Sequence, residues 1–160
     1  MLSIPELMRI LLDEHGMGWD EAWEVVTHTF AYTNHTVLAE ALEKWEMQIF
    51  DRLFPRISEI VREIDRRFRE DMNKRGVDGQ TIEYMAPVSG NQVRMAWIAC
   101  YASYSINGVA ALHTEIIKRE TLKEWHAIWP QRFNNKTNGV TPRRWLNPVS
   151  YTHLRAHETR

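Results

Sequence analysis

The sequence predicts a helix-rich globular fold, and three observations support this prediction. After Pro55, apolar residues recur at helical spacing as far as Met72, which predicts a long amphipathic helix. Further upstream, four apolar residues repeat at the 4, 3 and 4 spacing of another helix, namely Trp19, Trp23, Val26 and Phe30. The composition, with 44% hydrophobic and 26% charged residues in 160, is that of a folded protein and argues against a wholly disordered chain.

The first half of the chain is predicted to be helical with one interruption. Residues Ser3–Glu6 predict a capping box with proline in the first turn, and Gly16 is the expected end of that helix. A second helix is expected from about Asp20. Residues 32–38 include several poor helix formers and predict a polar turn, after which helix should resume at about Ala39.

The long helix after Pro55 carries charged residues on the face opposite its apolar stripe. They are Arg62, Glu63, Arg66, Arg67, Arg69 and Glu70. Alternating signs of this kind are typical of a solvated helix face, so we do not interpret the arginines as an anion site.

The second half mixes loops with more apolar segments. Residues 74–80 and 87–91 contain glycine, proline or asparagine and predict surface turns. Residues 93–104 are apolar enough for a buried helix or a strand, and periodicity does not decide between them. Asn107-Gly108 suits a turn, and residues 109–120 predict a helix.

Several classes of partner and site are disfavoured by the totals. The net charge of −1 offers no basic face for nucleic acid or an anionic membrane. No stretch approaches the ~20 apolar residues that a membrane span needs, and the start of the chain does not resemble a secretory signal, so we expect a cytoplasmic protein. Cys100 is the only cysteine and lies in an apolar run, which predicts a buried, unreactive thiol. The seven tryptophans are expected mainly as core residues.

Few motifs indicate chemistry. His113-Thr114-Glu115 has the spacing of zinc deaminases, but the paired cysteines of those sites are missing, so a helix-surface pair is favoured and no metal site is predicted. Residues 32–36 and 134–139 concentrate amides, hydroxyls and an imidazole. Such neutral groups suit sugar hydroxyls. They also suit capping of neighbouring helices and bonding to their own backbone, and the residues alone favour this second interpretation.

Four segments, spread over nearly the whole chain, resemble the α-glucan (glycogen or maltodextrin) phosphorylases in the order that this family has them. They are Ile4–Arg9, Phe30–Trp45, Ile106–His113 and Phe133–Leu146. Any one of them would be suggestive, and four in order exclude coincidence.

The resemblance implies a helix-rich fragment of an α/β protein whose parent has two Rossmann-like domains, the GT-B-type glycosyltransferase architecture. It implies an enzyme that cleaves terminal α-1,4-linked glucose with orthophosphate to give glucose 1-phosphate. It also implies a pyridoxal 5'-phosphate cofactor that takes part in proton transfer through its phosphate, and a homodimeric parent. The partners implied are therefore α-1,4-glucan and orthophosphate.

By the same resemblance, three residues contact ligands. His35 and Asn138 would bind the 6-hydroxyl of the glucosyl unit at the cleavage point, and Trp145 would line the pyridoxal pocket. These groups position the sugar and set specificity. No residue of the chain is assigned as the proton-transfer catalyst, and the segment with the cofactor lysine is not found.

The domain assignment also follows from the resemblance. Residues 1–133 are expected to form the end of the N-terminal domain, and residues 134–146 the hinge and start of the C-terminal one. Residues 147–160 resemble a translated cloning adapter and are predicted to be non-native. We therefore expect a fragment that is inactive and poorly soluble alone; the alternative is a stand-alone helical glucan-binding or interaction module derived from the enzyme.

Overall fold

The protein was analysed as a computed structural model, which describes residues 1–139. The helices are α1 (Ser3–Arg9), α2 (Trp19–Thr29), α3 (Met47–Leu53), α4 (Pro55–Lys74), α5 (Gly79–Met85), α6 (Met95–Ala102), α7 (Ala111–Ile116) and α8 (Lys123–Ile128). The π-helical turns Ile10–Glu14 and Ile117–Thr121 extend α1 and α7, and short 3₁₀ turns lie at Ala39–Ala41 and Pro130–Arg132. The strands are β1 (Ala31–Thr33), β2 (Lys44–Glu46), β3 (Val88–Ser89), β4 (Gln92–Arg94), β5 (Ser105–Gly108) and β6 (Phe133–Asn135). The prediction of a helix-rich chain is confirmed, and small sheets accompany the helices.

Helix α4 matches its prediction closely. Its apolar stripe is buried from Ile57 to Met72, and Pro55 occupies the first helical position, where its missing N–H costs no hydrogen bond. The charged face is solvated and paired: Arg66 contacts Glu63 and Glu70, one turn away on either side. The interpretation of the charge run as a solvated face is confirmed.

An aromatic cluster joins α4 to the second half of the chain. Phe68 lies 5.1 Å from Tyr101 and 5.5 Å from Trp125, measured between ring centroids. Trp125 in turn stacks on Trp129 at 5.6 Å. The prediction that tryptophans serve as core residues is confirmed for Trp97, Trp125 and Trp129, although Trp45 is exposed.

The apolar segment after residue 93 forms a helix. Nearly every side chain of α6 is buried, so the helix lies inside the core and lacks a polar face. Cys100 is fully buried in it, as predicted, and burial raises the pKa of its thiol well above the usual range. The thiolate needed for reactivity is therefore strongly disfavoured.

Three strands form a parallel sheet in the order β1-β5-β6. Thr33 pairs with Asn107, and Asn107 pairs with Asn134 on the other side. The peptide N–H of Asn34 continues the first pairing by donating to the carbonyl of Asn107 at 2.9 Å. This sheet brings together the two polar segments that the sequence singled out.

A second sheet is antiparallel, in the order β2-β4-β3. Strands β3 and β4 form a hairpin across Gly90 and Asn91, whose φ values of 56° and 61° are those of a type I′ turn. The surface turn predicted at residues 87–91 is therefore the tip and first strand of a hairpin. Among the described residues, no helix is long and apolar enough to cross a membrane.

One prediction about a helix boundary is wrong. Ser3 does not cap α1, because it is already helical and Leu2 occupies the N-cap without a side-chain hydrogen bond. The Glu6 carboxylate instead accepts two hydrogen bonds from Arg9, at 2.9 and 2.8 Å, a stronger charge-assisted pairing than a cap.

Three further predictions are corrected by the sheets. Residues 31–33, placed in a helix end and a polar turn, form β1. The helix expected from Ala39 is a single 3₁₀ turn followed by β2, because the backbone at Lys44–Glu46 pairs with β4. Asn107-Gly108, expected as a turn, is the end of the central strand β5, whose backbone bonds strands on both sides. Helix α5 also begins at Gly79, inside the segment predicted as a loop.

Candidate functional site

The carboxyl edge of the parallel sheet is the candidate site. Because the three strands run in the same direction, the segments that follow them emerge at one edge, where ligands of α/β proteins commonly bind. These segments are residues 34–38 after β1, 109–113 after β5 and 136–139 after β6. Segments 34–38 and 136–139 flank the central one, about 10 Å apart at a spacing of two strands.

The segment after β1 is fixed by Asn34, whose side chain is 1% exposed. Its Oδ1 accepts the N–H of Thr36 at 2.9 Å, which closes a tight turn around His35. Its Nδ2 donates to the hydroxyl oxygen of Tyr32 at 3.2 Å. Burial raises the pKa of Tyr32 to about 12, so this hydroxyl stays neutral. His35 itself is exposed on the turn.

The segment after β6 is held against β5 through the backbone. The N–H of Lys136 donates to the carbonyl of Gly108 at 3.1 Å, and that of Asn138 donates to the carbonyl of Val109 at 2.9 Å. The side chain of Asn138 is exposed. The predicted sugar-binding residues therefore lie on the same edge, on opposite sides of β5. Their segments are anchored to β5 and Val109 through the backbone groups of Asn34 and Asn138, and both predicted residues are exposed.

Two residues on β5 and α7 support the site, a role that the sequence did not assign to them. Asn107 is 8% exposed, and its Oδ1 accepts the hydroxyl of Thr33 at 2.9 Å. Thr114 of α7 donates to the carbonyl of Ala110 at 2.8 Å and contacts Oδ1 of Asn135 at 3.1 Å. Asn107 was expected in a turn, so no sequence pattern indicated this role.

Gly108 explains how α7 can lie so close to the sheet. A Cβ atom at this position would be 2.5 Å from Oγ1 of Thr114 and 2.9 Å from its Cα. Only glycine allows this approach, which brings the turn after β5 over the sheet edge.

The groups at this edge suit binding of a polyol. Among the residues of the three segments, only Lys136 is a lysine or arginine, and none is a carboxylate. Within residues 1–139, no cluster of His, Cys, Asp or Glu could hold a metal ion. Neutral donors and acceptors of this kind match sugar hydroxyls, which both donate and accept.

A cavity of about 330 Å³ adjoins the site beyond Val37. Its other lining residues are Leu42, Glu43, Lys44, Tyr84, Arg94, Ala96, Trp97, Glu120 and Thr121. Neither His35 nor Asn138 lines it, so it is distinct from the predicted position of the sugar. Arg94 and Trp97 already donate to backbone carbonyls of α5.

The comparison with known families decides where the chain belongs. A model of the family described as carbohydrate phosphorylase matches residues 1–156. The chain belongs to the carbohydrate phosphorylase family. The resemblance stated from the four segments is thereby confirmed.

Relatives in this family come from plants, bacteria and animals. The chain is 52% identical over 151 residues to the alpha-glucan phosphorylase H isozyme of Triticum aestivum. It is 51% identical over 146 residues to the glycogen phosphorylase of Bacillus subtilis, and 44% identical over 149 residues to the brain form of Rattus norvegicus. Each match covers 91% of this chain but 18% of the relative. The chain therefore spans about a fifth of these phosphorylases' length.

Of the three ligand residues implied by the family, two lie within the described residues and one does not. His35 and Asn138 share the carboxyl edge of one sheet, as described above, and their sugar contacts remain predictions. Trp145 lies outside the described residues, as do most of the proposed hinge and the whole tail. The residues of the zinc-like spacing have other contacts: Glu115 pairs with Lys118 at 3.1 Å, and Nδ1 of His113 accepts the N–H of Val109 at 3.1 Å.

Proposed function

We propose that this chain is part of an α-1,4-glucan phosphorylase, which transfers a terminal glucosyl unit to orthophosphate and releases glucose 1-phosphate. Two findings support the proposal. The chain is a family member, and relatives about 50% identical to it are named alpha-glucan or glycogen phosphorylases. The carboxyl edge of the parallel sheet also carries the neutral groups that a sugar needs.

The contribution of this chain is to position the glucosyl unit. His35 and Asn138 would bind its 6-hydroxyl from two sides of β5, with an imidazole and an amide that can each donate and accept. A sugar without that hydroxyl would leave both groups unpaired, which penalises it. The observation that carries this assignment is the anchoring of both segments to β5 by backbone hydrogen bonds.

The parent would have two Rossmann-like domains in the GT-B-type arrangement. Residues 1–133 would end the N-terminal domain, and residues 134–146 would lead into the C-terminal one. The first residues of this hinge, Asn134 and Asn135, pair with β5. In this arrangement Asn138 lies where the chain leaves the sheet of one domain, so a sugar bound there would sit close to the domain junction.

Pyridoxal phosphate belongs to the proposal for the whole protein, because the phosphorylase family generally depends on it. The three edge segments do not fit the group by themselves. Lys136 is the only lysine or arginine in the three edge segments, and one cation cannot both form an imine and neutralise a phosphate dianion. We therefore derive no chemical step through the cofactor from this part of the chain.

The remaining features of the parent follow from the family. We expect α-1,4-glucan and orthophosphate as its substrates, a homodimeric state, and a cytoplasmic location. One relative, from Arabidopsis thaliana, is itself named as cytosolic.

The test uses the full-length phosphorylase that carries this segment. Maltoheptaose and orthophosphate should yield glucose 1-phosphate, and Asn138→Ala should lower kcat/KM about tenfold, which corresponds to the loss of one or two hydrogen bonds. His28→Ala, at an exposed residue of α2, serves as the control and should leave kcat/KM unchanged. Absence of phosphorolysis in the wild-type protein would contradict the proposal.

The alternative, a stand-alone helical glucan-binding module, requires the 160-residue chain to bind sugar unaided. Isothermal titration calorimetry of that chain with maltoheptaose separates the two possibilities. Heat of binding that disappears in Asn138→Ala would favour the module. We expect no binding, because the edge supplies contacts to only one side of a glucosyl unit.

A further inference from the structure

His113 lies on α7 beside the candidate site, and its contacts are unusual. Its Nδ1 accepts the N–H of Val109 at 3.1 Å. Its Nε2 is buried and has no hydrogen-bond partner among the described residues. Because Nδ1 acts as an acceptor, it carries no proton, and the neutral ring must hold its proton on Nε2. Within residues 1–139, the hydrogen bond to Val109 is therefore the imidazole's one polar contact.

Val109 connects His113 to the predicted sugar-binding residue. Its N–H donates to His113, while its carbonyl accepts the N–H of Asn138 at 2.9 Å. The imidazole of His113 therefore fixes the N–H of Val109, and the carbonyl of Val109 fixes the backbone N–H of Asn138. A shift of Val109 would carry Asn138 with it.

The neighbouring residue on α7 holds the chain at a second point. Thr114 contacts the carbonyl of Ala110 and the side chain of Asn135, and its close approach to Gly108 leaves α7 little freedom to move. Thr114 thus fastens α7 to the strand that precedes Asn138, and His113 fastens α7 to the turn after β5. His113 is the only one of the two that reaches Val109 itself.

We propose that His113 is a positioning residue, which sets the place of Asn138 at the sheet edge through Val109 and so sharpens recognition of the sugar's 6-hydroxyl. This inference rests on the proposed function for the role of Asn138. His113 does not touch the sugar. It acts by holding Val109, and its effect on specificity passes through Asn138.

The first experiment measures specificity in the full-length phosphorylase. Glucan synthesis from glucose 1-phosphate is compared with synthesis from 6-deoxyglucose 1-phosphate, as a ratio of the two kcat/KM values. His113→Leu removes the acceptor and should lower this ratio about two- to tenfold, the effect of one lost hydrogen bond. His113→Asn should retain most of the ratio, because its Oδ1 can occupy the place of Nδ1. His28→Leu is the matched control at an exposed histidine far along the chain.

A double variant tests whether His113 acts through Asn138. Asn138→Ala should abolish most of the discrimination, and adding His113→Leu should then lower the ratio little further. Two results would overturn the inference: an unchanged ratio in His113→Leu, or an additive loss in the double variant. A loss in His113→Asn as large as in His113→Leu would also overturn it, because ring packing would then be responsible.

The second experiment does not depend on activity. Hydrogen exchange, followed by mass spectrometry of peptides that cover residues 109–112 and 134–139, reports the two backbone hydrogen bonds directly. Both peptides should exchange faster in His113→Leu and should be largely protected in His113→Asn. Unchanged exchange near Asn138 would refute the positioning role even if the enzyme were inactive, whereas inactivity of the wild type alone would refute only the proposed function.

Discussion

Helix α4 and the parallel sheet differ in the distance over which their contacts are made. Every side chain in the buried stripe of α4 lies within 20 consecutive residues, and many of its ion pairs join residues three or four positions apart. In the sheet, the bond from Thr33 to Asn107 spans 74 positions. Local periodicity therefore predicted α4, while it failed to predict any strand of the sheet.

Helix α4 and the parallel sheet also have different roles: the helix contributes to the core, and the sheet carries the candidate site. Helix α4 contributes six buried apolar side chains to the core and offers no residue to the candidate site. The sheet strands are three or four residues long, and their carboxyl ends supply all of the predicted sugar contacts within the described residues. Short strands with few apolar contacts depend on helices packed around them.

The largest expected effect tests the core of α4. Phe68→Ala removes a fully buried ring that contacts Tyr101 and Trp125, and should lower the free energy of unfolding by about 3–5 kcal/mol through lost burial and a cavity. Arg66→Ala on the solvated face of the same helix should lower it by less than about 1 kcal/mol. Urea denaturation followed by circular dichroism measures both; equal effects would show that the helix is not held by its apolar face.

An intermediate effect tests the close approach in the sheet. Gly108→Ala places a Cβ 2.9 Å from the backbone Cα of Thr114, so α7 must shift, at a cost of about 1–3 kcal/mol. Gly79→Ala is the matched control, because a Cβ there meets nothing within 4 Å, and it should be neutral or slightly stabilising. Thermal unfolding compares the two. If Gly108→Ala is as stable as the wild type, the sheet edge tolerates more movement than the comparison with α4 assumes.

The smallest effect tests the charged face of α4. Hydrogen bonding from Arg66 lowers the pKa of Glu63 from 4.5 to about 2, so the folded state favours the carboxylate. The stabilisation is therefore fully present above pH 4.5 and is lost as the pH falls towards 2. We expect Glu63→Gln to lower stability at pH 7 by about 0.5 kcal/mol, as for other exposed pairs, and this effect should shrink below pH 4.5 and disappear as the pH falls through about 2. An effect that grows on acidification would contradict this assignment.

The sequence predicted the helical half of the fold better than the sheets. Helix α4, the buried Cys100 and most of the core tryptophans were expected from periodicity and composition. Asn107-Gly108 was assigned to a turn, because the pair is common in turns and nothing local shows that strands lie on both sides. The cap at Ser3 was wrong because an arginine one turn away competes for the carboxylate of Glu6.

The site was predicted only in part. His35 and Asn138 were named by family resemblance, since the residues alone favoured capping for both polar segments. Asn34, Asn107, Thr114 and His113 were not assigned a role at the site. Asn107 and Thr114 bond side chains that only the fold brings near. Asn34 and His113 bond backbone groups two and four positions away, in turns whose geometry the residue types alone do not show. Supporting residues of this kind carry no spacing that a single sequence can reveal.

The sequence by itself determined the helices whose apolar faces repeat every three or four residues, the burial of the one thiol, and membership of the phosphorylase family. His35 and Asn138 are about 100 positions apart in the chain. The tertiary structure decided that the two polar segments that contain them emerge at one sheet edge. The physical reason is that helical periodicity and burial follow from neighbours along the chain. Strand pairing and the anchoring of Asn138 to Val109 depend on backbone groups that only the folded chain brings together.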